Sequence, residues 1–222
     1  MNLFIFDFDG TITIEDTTDL ILEIPEKDQI WQIEEEWKNG NLTSYQCMKK
    51  QAKILKGIST RRIFNQLKKC SRVDPGFLRL VHYLKARNYH VIVLSEGYDL
   101  SIKFHEVRKF VKDIHCSRLL VKRDRLTGEL EVSNDKKWSY NKDCVGCCIC
   151  KVDFVNKLRR SSSEPKFTKV FAVGDGRSDA CLFQHVDVSF SLNSDYESHY
   201  QVKNLDNVLE ILKKLDNTET TK

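Results

Sequence analysis

The sequence has no apolar run that approaches the roughly 18–20 residues needed for a membrane-spanning helix. Its first residues lack the basic segment of a secretory signal, and acidic residues follow the opening apolar run at once. Basic residues exceed acidic ones by only four charges and are dispersed along the chain. We therefore expect a cytoplasmic protein that binds neither membranes nor nucleic acid.

Eight cysteines occur in a chain without a secretory signal, so we expect reduced thiols and not a disulfide framework. Half of them fall within one stretch of seven residues, namely Cys144, Cys147, Cys148 and Cys150. Thiolates at this spacing can hold Zn²⁺, but zinc sites normally draw their ligands from two separated segments. We interpret the cluster as small apolar packing residues, with a zinc-binding interaction protein as the alternative.

Apolar runs that suit buried strands alternate with helical patterns; the runs cover residues 2–8, 89–94, 169–173 and 186–190. The first run is apolar on both faces up to Asp7, which is typical of a strand covered on both sides of a parallel sheet. The alternation predicts an α/β fold with a doubly wound, mainly parallel, Rossmann-like sheet.

The segment between the first two strand runs is too long for one crossover helix. From about residue 17 to 71, apolar positions recur at helical spacing, with breaks near Pro25, Gly40 and Gly57. This pattern predicts a small helical cap at 17–71, inserted into an α/β core made of 1–16 and 72–222. Residues 118–133 predict a short β-hairpin, with its turn at Leu126–Glu129.

Two carboxylates follow the first strand run. Asp7 and Asp9 are two residues apart on an extended segment, so their side chains share one side. Open α/β sheets bind ligands at the carboxyl ends of their strands. Gly10 allows a phosphate to approach the backbone closely, and Thr11 offers a hydroxyl donor. A pair of acidic residues capping the next helix is the alternative interpretation.

Two further segments suit phosphate oxygens. Ser95 ends the second strand run, and its hydroxyl and the backbone amides of Glu96 and Gly97 are candidate donors, although a helix cap would use the same serine. Lys151 begins an amphipathic helix, whose N-terminus attracts anions. Two other lysines compete for this role, Lys142 and Lys157.

The fourth segment carries further acidic groups after a strand run. Asp175 lies between two glycines, and Asp179 follows one helical turn later. Hard oxygen ligands in an incomplete protein cage fit Mg²⁺, which keeps waters and binds substrate phosphate. The four segments together predict a Mg²⁺-dependent phosphatase.

The order of these segments resembles that in the haloacid dehalogenase-like hydrolases, specifically the phosphoserine phosphatase-like branch with a helical cap after the first motif. The resemblance covers nearly the whole chain and implies Mg²⁺-dependent hydrolysis of a small phosphorylated metabolite through an aspartyl-phosphate. It implies that Asp7 is the nucleophile and Asp9 the general acid and base. The implied phosphate-binding and metal-binding residues are Thr11, Ser95, Glu96, Gly97 and Lys151 for phosphate, and Asp7, Asp9, Asp175 and Asp179 for Mg²⁺.

Finer likenesses point in two directions. The hairpin looks like the flap of phosphoserine phosphatases. Three other segments are more similar to the methionine-salvage diketo-phosphate phosphatases and the phosphocholine/phosphoethanolamine phosphatases, namely Trp37–Gly40, Asp74–Phe77 and Cys147–Lys151. Asp16 stands where phosphoserine enzymes have a glutamate that meets the substrate amine, which makes it a candidate partner for an ammonium group; helix N-capping is the alternative.

Other functions are compatible with the same residues. A phosphotransferase or phosphomutase would pass the aspartyl-phosphate to an acceptor other than water. A non-catalytic binding module would keep only the fold. Neither the substrate nor the oligomeric state follows from the sequence.

Overall fold

The computed structural model describes residues 1–25, 27–132, 146–160 and 167–219 of the 222-residue chain. Within these residues, seven strands form one sheet: β1 (Leu3–Phe6), β2 (His90–Tyr98), β3 (Asp113–Lys122), β4 (Arg125–Val132), β5 (Val170–Gly174), β6 (Val188–Ser191) and β7 (Tyr200–Gln201).

The described residues also form nine α-helices and one 3₁₀ turn at Val107–Lys109. The helices are α1 (Thr17–Leu22), α2 (Lys27–Lys38), α3 (Ser44–Ile54), α4 (Thr60–Cys70), α5 (Gly76–Ala86), α6 (Asp99–Phe104), α7 (Lys151–Arg160), α8 (Arg177–Phe183) and α9 (Leu205–Glu219). None of the helices in this described part combines the length and apolar character needed to cross a bilayer.

The sheet has the strand order β4-β3-β2-β1-β5-β6-β7, and every neighbouring pair is parallel except β3 and β4. The chain builds outwards from β1 first through β2 and β3, and later through β5 and β6 on the other side. This confirms the predicted doubly wound α/β fold. Open sheets of this kind bind ligands beyond the carboxyl end of the strand at which the order reverses, which here is β1.

Both faces of the sheet are covered, as the apolar character of β1 predicts. Phe4 and Phe6 pack into one cluster with side chains of α5 and α9. Leu3 and Ile5 point to the opposite face and pack into a second cluster with α7 and α8. Each fully buried side chain of this size contributes roughly 1.5–3 kcal/mol. The first strand is therefore fixed from both sides, and so is the residue that follows it.

The four helices between β1 and α5 form the inserted helical cap. Ile21, Ile30, Met48 and Leu67, from α1 to α4, share a third apolar cluster with Leu126 of β4. The hairpin formed by β3 and β4 lies against this cap, since Gly57 N donates to Leu126 O at 2.8 Å and Leu126 N to Ile58 O at 2.9 Å. Cap and hairpin thus pack as neighbours.

The predicted position of the hairpin turn is wrong. Lys122 pairs with Arg125, so the turn is the two-residue connection Arg123-Asp124, and both residues have positive φ, at 50° and 61°. Primed turns of this kind match the twist of the flanking strands. The Leu126–Glu129 segment lies inside β4, where Gly128 (φ 85°) falls within a register shift typical of a bulge.

Two strand boundaries also differ from the sequence prediction. β1 covers Leu3–Phe6 and not residues 2–8, because Asp7 and Phe8 lie in the connection that leads to the turn at Asp9 and Gly10. β2 continues past Leu94 to Tyr98, and its register with β3 shifts between these two residues. The Ser95 segment therefore lies in an irregular part of the strand and not beyond its end.

Candidate active site

Strand register brings the predicted segments to one edge of the sheet. Phe6 is aligned with Val93 on one side and with Val173 on the other. The residues that follow these three positions along the chain therefore lie side by side, and they include Asp7, Ser95 and Asp175. This edge is the carboxyl end of the parallel strands, where the fold predicts a ligand.

A cavity of about 310 Å³ lies between this edge and the helical cap. The sheet side contributes Asp7, Asp9, Ser95, Glu96, Asp175 and Asp179. The cap contributes Asp19, Glu34, Trp37, Lys38 and Gln51, and Asp16 lines the cavity just before the cap begins. The structure thus collects most of the predicted site residues, Gly97 included, around one space.

Three carboxylates gather at the sheet edge. Asp7, Asp175 and Asp179 each place an oxygen within 4.8 Å of the others, and they are the one such group of His, Cys, Asp or Glu among the described residues. The Lys151 ammonium lies 2.6 Å from Asp7 Oδ1 and 2.6 Å from Asp179 Oδ1. The lysine is 2% exposed, so it neutralises part of this cluster from inside the protein.

The charge of the cluster is only partly balanced. Burial, together with the nearby Asp179 and Asp175, raises the pKa of Asp7 well above its ordinary value despite the adjacent Lys151. Burial and Asp179 raise the pKa of Asp175 to about 6. Burial alone would lower the pKa of Lys151, but its two carboxylate partners raise it above its ordinary value, so the ammonium stays charged. The site therefore favours an added cation.

Thr11 and Gly10 hold Asp175 against the first motif. Thr11 Oγ1 donates to Asp175 Oδ1 at 3.2 Å. Gly10 has a φ of 65°, and a Cβ at this position would overlap the Asp175 carboxylate. Only glycine combines this backbone conformation with such a close approach. Thr11 lies beside the cluster, outside the cavity lining.

Asp9 is held by the start of the cap. Its Oδ1 accepts from the backbone amide of Thr17 at 2.9 Å and from the Thr17 hydroxyl, and its Oδ2 accepts from Thr18 Oγ1 at 3.0 Å. Burial and the neighbouring Asp16 outweigh these bonds and raise the pKa of Asp9 to about 7. A carboxyl group with this pKa can both give and take a proton near neutral pH.

The second segment lies beside Asp9 and Lys151. Ser95 Oγ accepts from Gly97 N at 3.0 Å, and a Cβ at Gly97 would overlap Asp9 Oδ2. The Glu96 carboxylate accepts from the backbone amide of Cys148, three residues before Lys151. Burial raises the pKa of Glu96 despite the Lys151 charge and this bond. Glu96 therefore ties the end of β2 to the segment that leads into α7.

Asp16 caps a helix, as the alternative interpretation of the sequence predicts, and its possible contact with a substrate ammonium stays a prediction. It is the N-cap of α1 and accepts from Asp19 N at 3.0 Å, and it also lines the cavity. Burial raises its pKa, although bonds from the backbone amides of Asp19 and Thr18 oppose the shift.

The structure distinguishes two of the three candidate lysines. Lys151 contacts the carboxylate cluster, whereas Lys157 pairs with Asp153 of the same helix at 2.6 Å on the surface. Lys142 lies outside the described residues.

The cysteine cluster shows no metal-binding geometry in the part that is described. Cys147, Cys148 and Cys150 do not bring three possible ligands together in the described residues, whereas Cys144 lies outside them. Cys148 is fully buried in the apolar cluster beneath the cap, as expected for a packing residue. No disulfide joins the cysteines of the described residues.

Sequence reasoning missed the side of the cavity that the helical cap forms, which we call the cap wall. Ser44, Cys47, Met48 and Gln51 have the spacing of a buried helix face, and the structure directs this face partly towards the cavity. Asp19 and Glu34 come from different helices, so no local motif joins them. The available signal was the presence of two polar residues, Ser44 and Gln51, on a helix face whose other members are apolar.

A family model for haloacid dehalogenase-like hydrolases matches residues 4–184. The match extends from β1 to the end of α8 and includes all four segments. The chain therefore belongs to the haloacid dehalogenase-like hydrolases.

Curated relatives and solved structures narrow this assignment. The phosphoserine phosphatase of Methanocaldococcus jannaschii is 27% identical over 183 residues, which cover 82% of this chain and 81% of the relative. That of Campylobacter jejuni subsp. doylei is 24% identical over 223 residues, covering 96% and 100%. A phosphoserine phosphatase solved as a phospho-aspartyl intermediate analogue has the same fold, with a TM-score of 0.72 at 22% identity over 95% of this chain and 98% of that one. The chain is a phosphatase of the phosphoserine phosphatase-like branch.

Proposed function

We propose that this phosphatase uses Mg²⁺ to hydrolyse a small phosphate monoester through an aspartyl-phosphate on Asp7. The observation that supports this most is the cluster of Asp7, Asp175 and Asp179 at the carboxyl end of β1, with the buried Lys151 bridging two of its members. We propose that the product alcohol and phosphate leave through the same cavity.

The residues present fit a magnesium ion. The cluster offers hard carboxylate oxygens, and burial together with the neighbouring carboxylates raises the pKa values of Asp7 and Asp175 despite Lys151. We propose that Asp7, Asp175, Asp179 and the backbone carbonyl of Asp9 hold the ion. When bound, Mg²⁺ offsets the repulsion between the nucleophile and the substrate phosphate, which is about 4 kcal/mol for unit charges 4 Å apart at an effective dielectric of about 20.

We propose that the free oxygen of Asp7 attacks phosphorus while Lys151 holds the other one. The phosphorus–oxygen ester bond breaks, and the leaving alkoxide takes the proton of Asp9. Water then attacks the aspartyl-phosphate, Asp9 takes a proton from it, and phosphate leaves with Asp7 restored as a carboxylate. Acid and base catalysis of this kind typically contributes roughly 10²–10⁴-fold.

We propose that the phosphate oxygens are bound by Lys151, the Ser95 hydroxyl and the amides of Glu96 and Gly97, with Thr11 supporting the first motif. The carboxylate of Glu96 would repel a phosphate, but it already accepts from Cys148 N. Its proposed contribution is the backbone amide and the placement of the segment before Lys151.

We propose that residues 17–71 act as a unit that admits substrate and excludes water, over a core of 1–16 and 72–222. Support comes from the two threonines at the start of α1, which hold the Asp9 carboxylate. A cap movement would alter the surroundings of the general acid directly. We further propose that the enzyme acts on a small phosphorylated metabolite in the cytoplasm, where its thiols would stay reduced.

The direct test is phosphate release from p-nitrophenyl phosphate and a panel of small phosphate esters, with Mg²⁺ or with EDTA. We expect turnover that EDTA abolishes and Mg²⁺ restores. Unchanged turnover in EDTA would refute the metal requirement, and the absence of turnover on every ester would refute the proposed hydrolysis. Alcohol acceptors that capture the phosphoryl group in place of water would favour the phosphotransferase.

A further inference from the structure

The connection between α3 and α4 adds a short strand-like segment to the edge of the sheet. Residues 57–60 of the cap pair with residues 124–126 of the hairpin, and we call this pairing the cap–hairpin contact. Gly57 N donates to Leu126 O at 2.8 Å, and Leu126 N donates to Ile58 O at 2.9 Å. Since β4 is the outermost described strand on this side, the cap covers backbone groups that an open edge would leave unpaired.

Side chains strengthen the cap–hairpin contact. Arg125 Nη1 donates to the backbone carbonyl of Gly57 at 2.7 Å. The Thr60 hydroxyl donates to the Asp124 carboxylate, and Thr60 N donates to Asp124 O at 3.0 Å. Leu126 is buried in the apolar cluster that the hairpin shares with the cap. Separating the two segments would therefore break backbone bonds and expose apolar surface to water.

Another backbone bond joins the cap to the rest of the chain at the cavity. Tyr45 N, in the first turn of α3, donates to Gly146 O at 3.1 Å. Amides in the first turn have no carbonyl partner within their own helix, so this amide is protected only while the two segments stay together. Ser44 and Cys147, the neighbours of the bonded residues, both line the cavity. The bond has to break if the cavity opens here.

The cap–hairpin contact lies away from the cavity. None of its residues, all of which are described, lines the cavity, whereas Trp37 and Lys38 of α2 do. Trp37 Nε1 donates to Ser44 Oγ at 3.1 Å, so the end of α2 is joined to the start of α3. The cap is thus fixed to the hairpin at one place and faces the cavity at another.

We propose that the cap turns about the cap–hairpin contact and opens on the side of α2 and the start of α3. Tyr45 then leaves Gly146, whereas Thr60 stays on Asp124. This inference rests on the proposed role of the cap in admitting substrate. The hairpin is a pivot and not a latch, because a latch would release each time the cavity opens.

Two backbone amides report on the two sides of the cap. Tyr45 and Thr60 lie in the first turns of α3 and α4, and each donates to a carbonyl outside the cap. Amide exchange of the wild type is followed by NMR in Mg²⁺, with and without inorganic phosphate at a concentration that inhibits turnover. We expect phosphate to slow exchange about tenfold or more at Tyr45 and less than about threefold at Thr60, because an amide exchanges when its bond opens.

Either of two results in this exchange experiment would overturn the proposal. Equal slowing at Tyr45 and Thr60 would show that the cap–hairpin contact opens together with the cavity. An unchanged rate at Tyr45 would show that the cavity does not open on this side. The measurement uses the unaltered protein, so it stays decisive if a variant fails to fold.

A disulfide across the cap–hairpin contact tests the pivot during turnover. Ser59 and Arg125 are antiparallel bridge partners, whose Cα atoms are typically about 4.5–5.5 Å apart, a distance that suits a disulfide. The double variant Ser59→Cys/Arg125→Cys, oxidised with diamide, should keep kcat/KM for p-nitrophenyl phosphate within about twofold of the reduced protein. A loss of about tenfold or more that reduction restores would overturn the pivot. Failure of the disulfide to form would overturn the contact itself.

Single variants are the matched controls for oxidation. Ser59→Cys and Arg125→Cys, treated with diamide in the same way, show any effect of the native thiols that line the cavity, Cys47 and Cys147. Failure of the pivot is distinguishable from failure of the proposed function. Turnover by the wild type together with a blocked cross-linked variant would refute the pivot alone, whereas absence of turnover by the wild type would refute the phosphatase proposal.

Discussion

The raised pKa of Asp9 makes protein stability depend on pH, and Asp9→Asn isolates this dependence. The pKa is about 7 in the folded protein against an ordinary value of 3.8, mainly because burial and Asp16 disfavour the charged carboxylate. A carboxyl group with a raised folded pKa stabilises the protein at low pH, and this stabilisation disappears as the pH rises through the folded pKa. The sensitive window is therefore about pH 4 to 7.

The size of the effect follows from the two pKa values. Three pKa units correspond to about 4 kcal/mol in total, at roughly 1.4 kcal/mol per unit. Between pH 5 and pH 8 the loss is smaller, about 2.5 kcal/mol, because the unfolded chain is already largely ionised at pH 5. Partial exposure of Asp9 to the cavity makes this an upper value. An asparagine does not titrate, so it lacks this loss.

The assay is urea unfolding of the wild type and of Asp9→Asn, in EDTA, from pH 5 to pH 8. We expect the wild type to lose about 1–2.5 kcal/mol more than the variant over this range. Comparing the two slopes cancels the shared groups that do not interact with Asp9, and it also cancels the fixed cost of placing an amide beside Thr18. Parallel stability curves would refute the raised pKa, and with it the physical basis for Asp9 as an acid near neutral pH.

Three further variants test other parts of the site. Lys151→Met leaves two buried carboxylates unpaired, so it should lower the free energy of urea unfolding by about 3–5 kcal/mol and remove turnover. The control Lys157→Met should change the free energy of unfolding by less than about 0.5 kcal/mol. Gly97→Ala pushes a Cβ into the carboxylate of Asp9, the general acid, so kcat should fall at least tenfold. Gly40→Ala is the control: a Cβ there meets open space, but the φ of 77° strains an alanine, so the variant should lose stability without a lower kcat. Mg²⁺ at about 100 times its Kd should stabilise the wild type by about 2.7 kcal/mol and Asp175→Asn by much less; equal stabilisation in calorimetry would contradict the metal assignment.

The fold was predictable because its signals are local. Leu3 to Phe6 are apolar on both faces, and this pattern requires a strand with layers on each side. The acidic and hydroxyl residues come directly after such runs, and parallel strands place their carboxyl ends at one edge. Those two facts suffice to predict that Asp7, Ser95 and Asp175 lie close together.

The remaining features depend on contacts between distant segments. The hairpin turn at Arg123-Asp124 has no glycine, whereas Gly128 in the neighbouring strand resembles a turn residue, so local sequence favours the wrong position. The acidic cap wall depends on how α1, α2 and α3 pack. Spacing places Gln51 on an inward helix face but does not distinguish an apolar core from the wall of a cavity.

The central claim is that Asp7 becomes phosphorylated during turnover, and acid-quench mass spectrometry tests it most directly. Asp9→Asn protein mixed with Mg²⁺ and p-nitrophenyl phosphate should accumulate one phosphoryl group on the peptide that contains Asp7, because the activated aryl ester needs little acid assistance while hydrolysis of the intermediate lacks its base. Hydroxylamine should remove the group, and Asp7→Asn should show none. Two results, each with turnover in the wild type, would contradict the account. One is a phosphoryl group on a different residue. The other is an Asp7→Asn rate above about 1% of the wild-type rate, which corresponds to a barrier increase of less than roughly 2.7 kcal/mol.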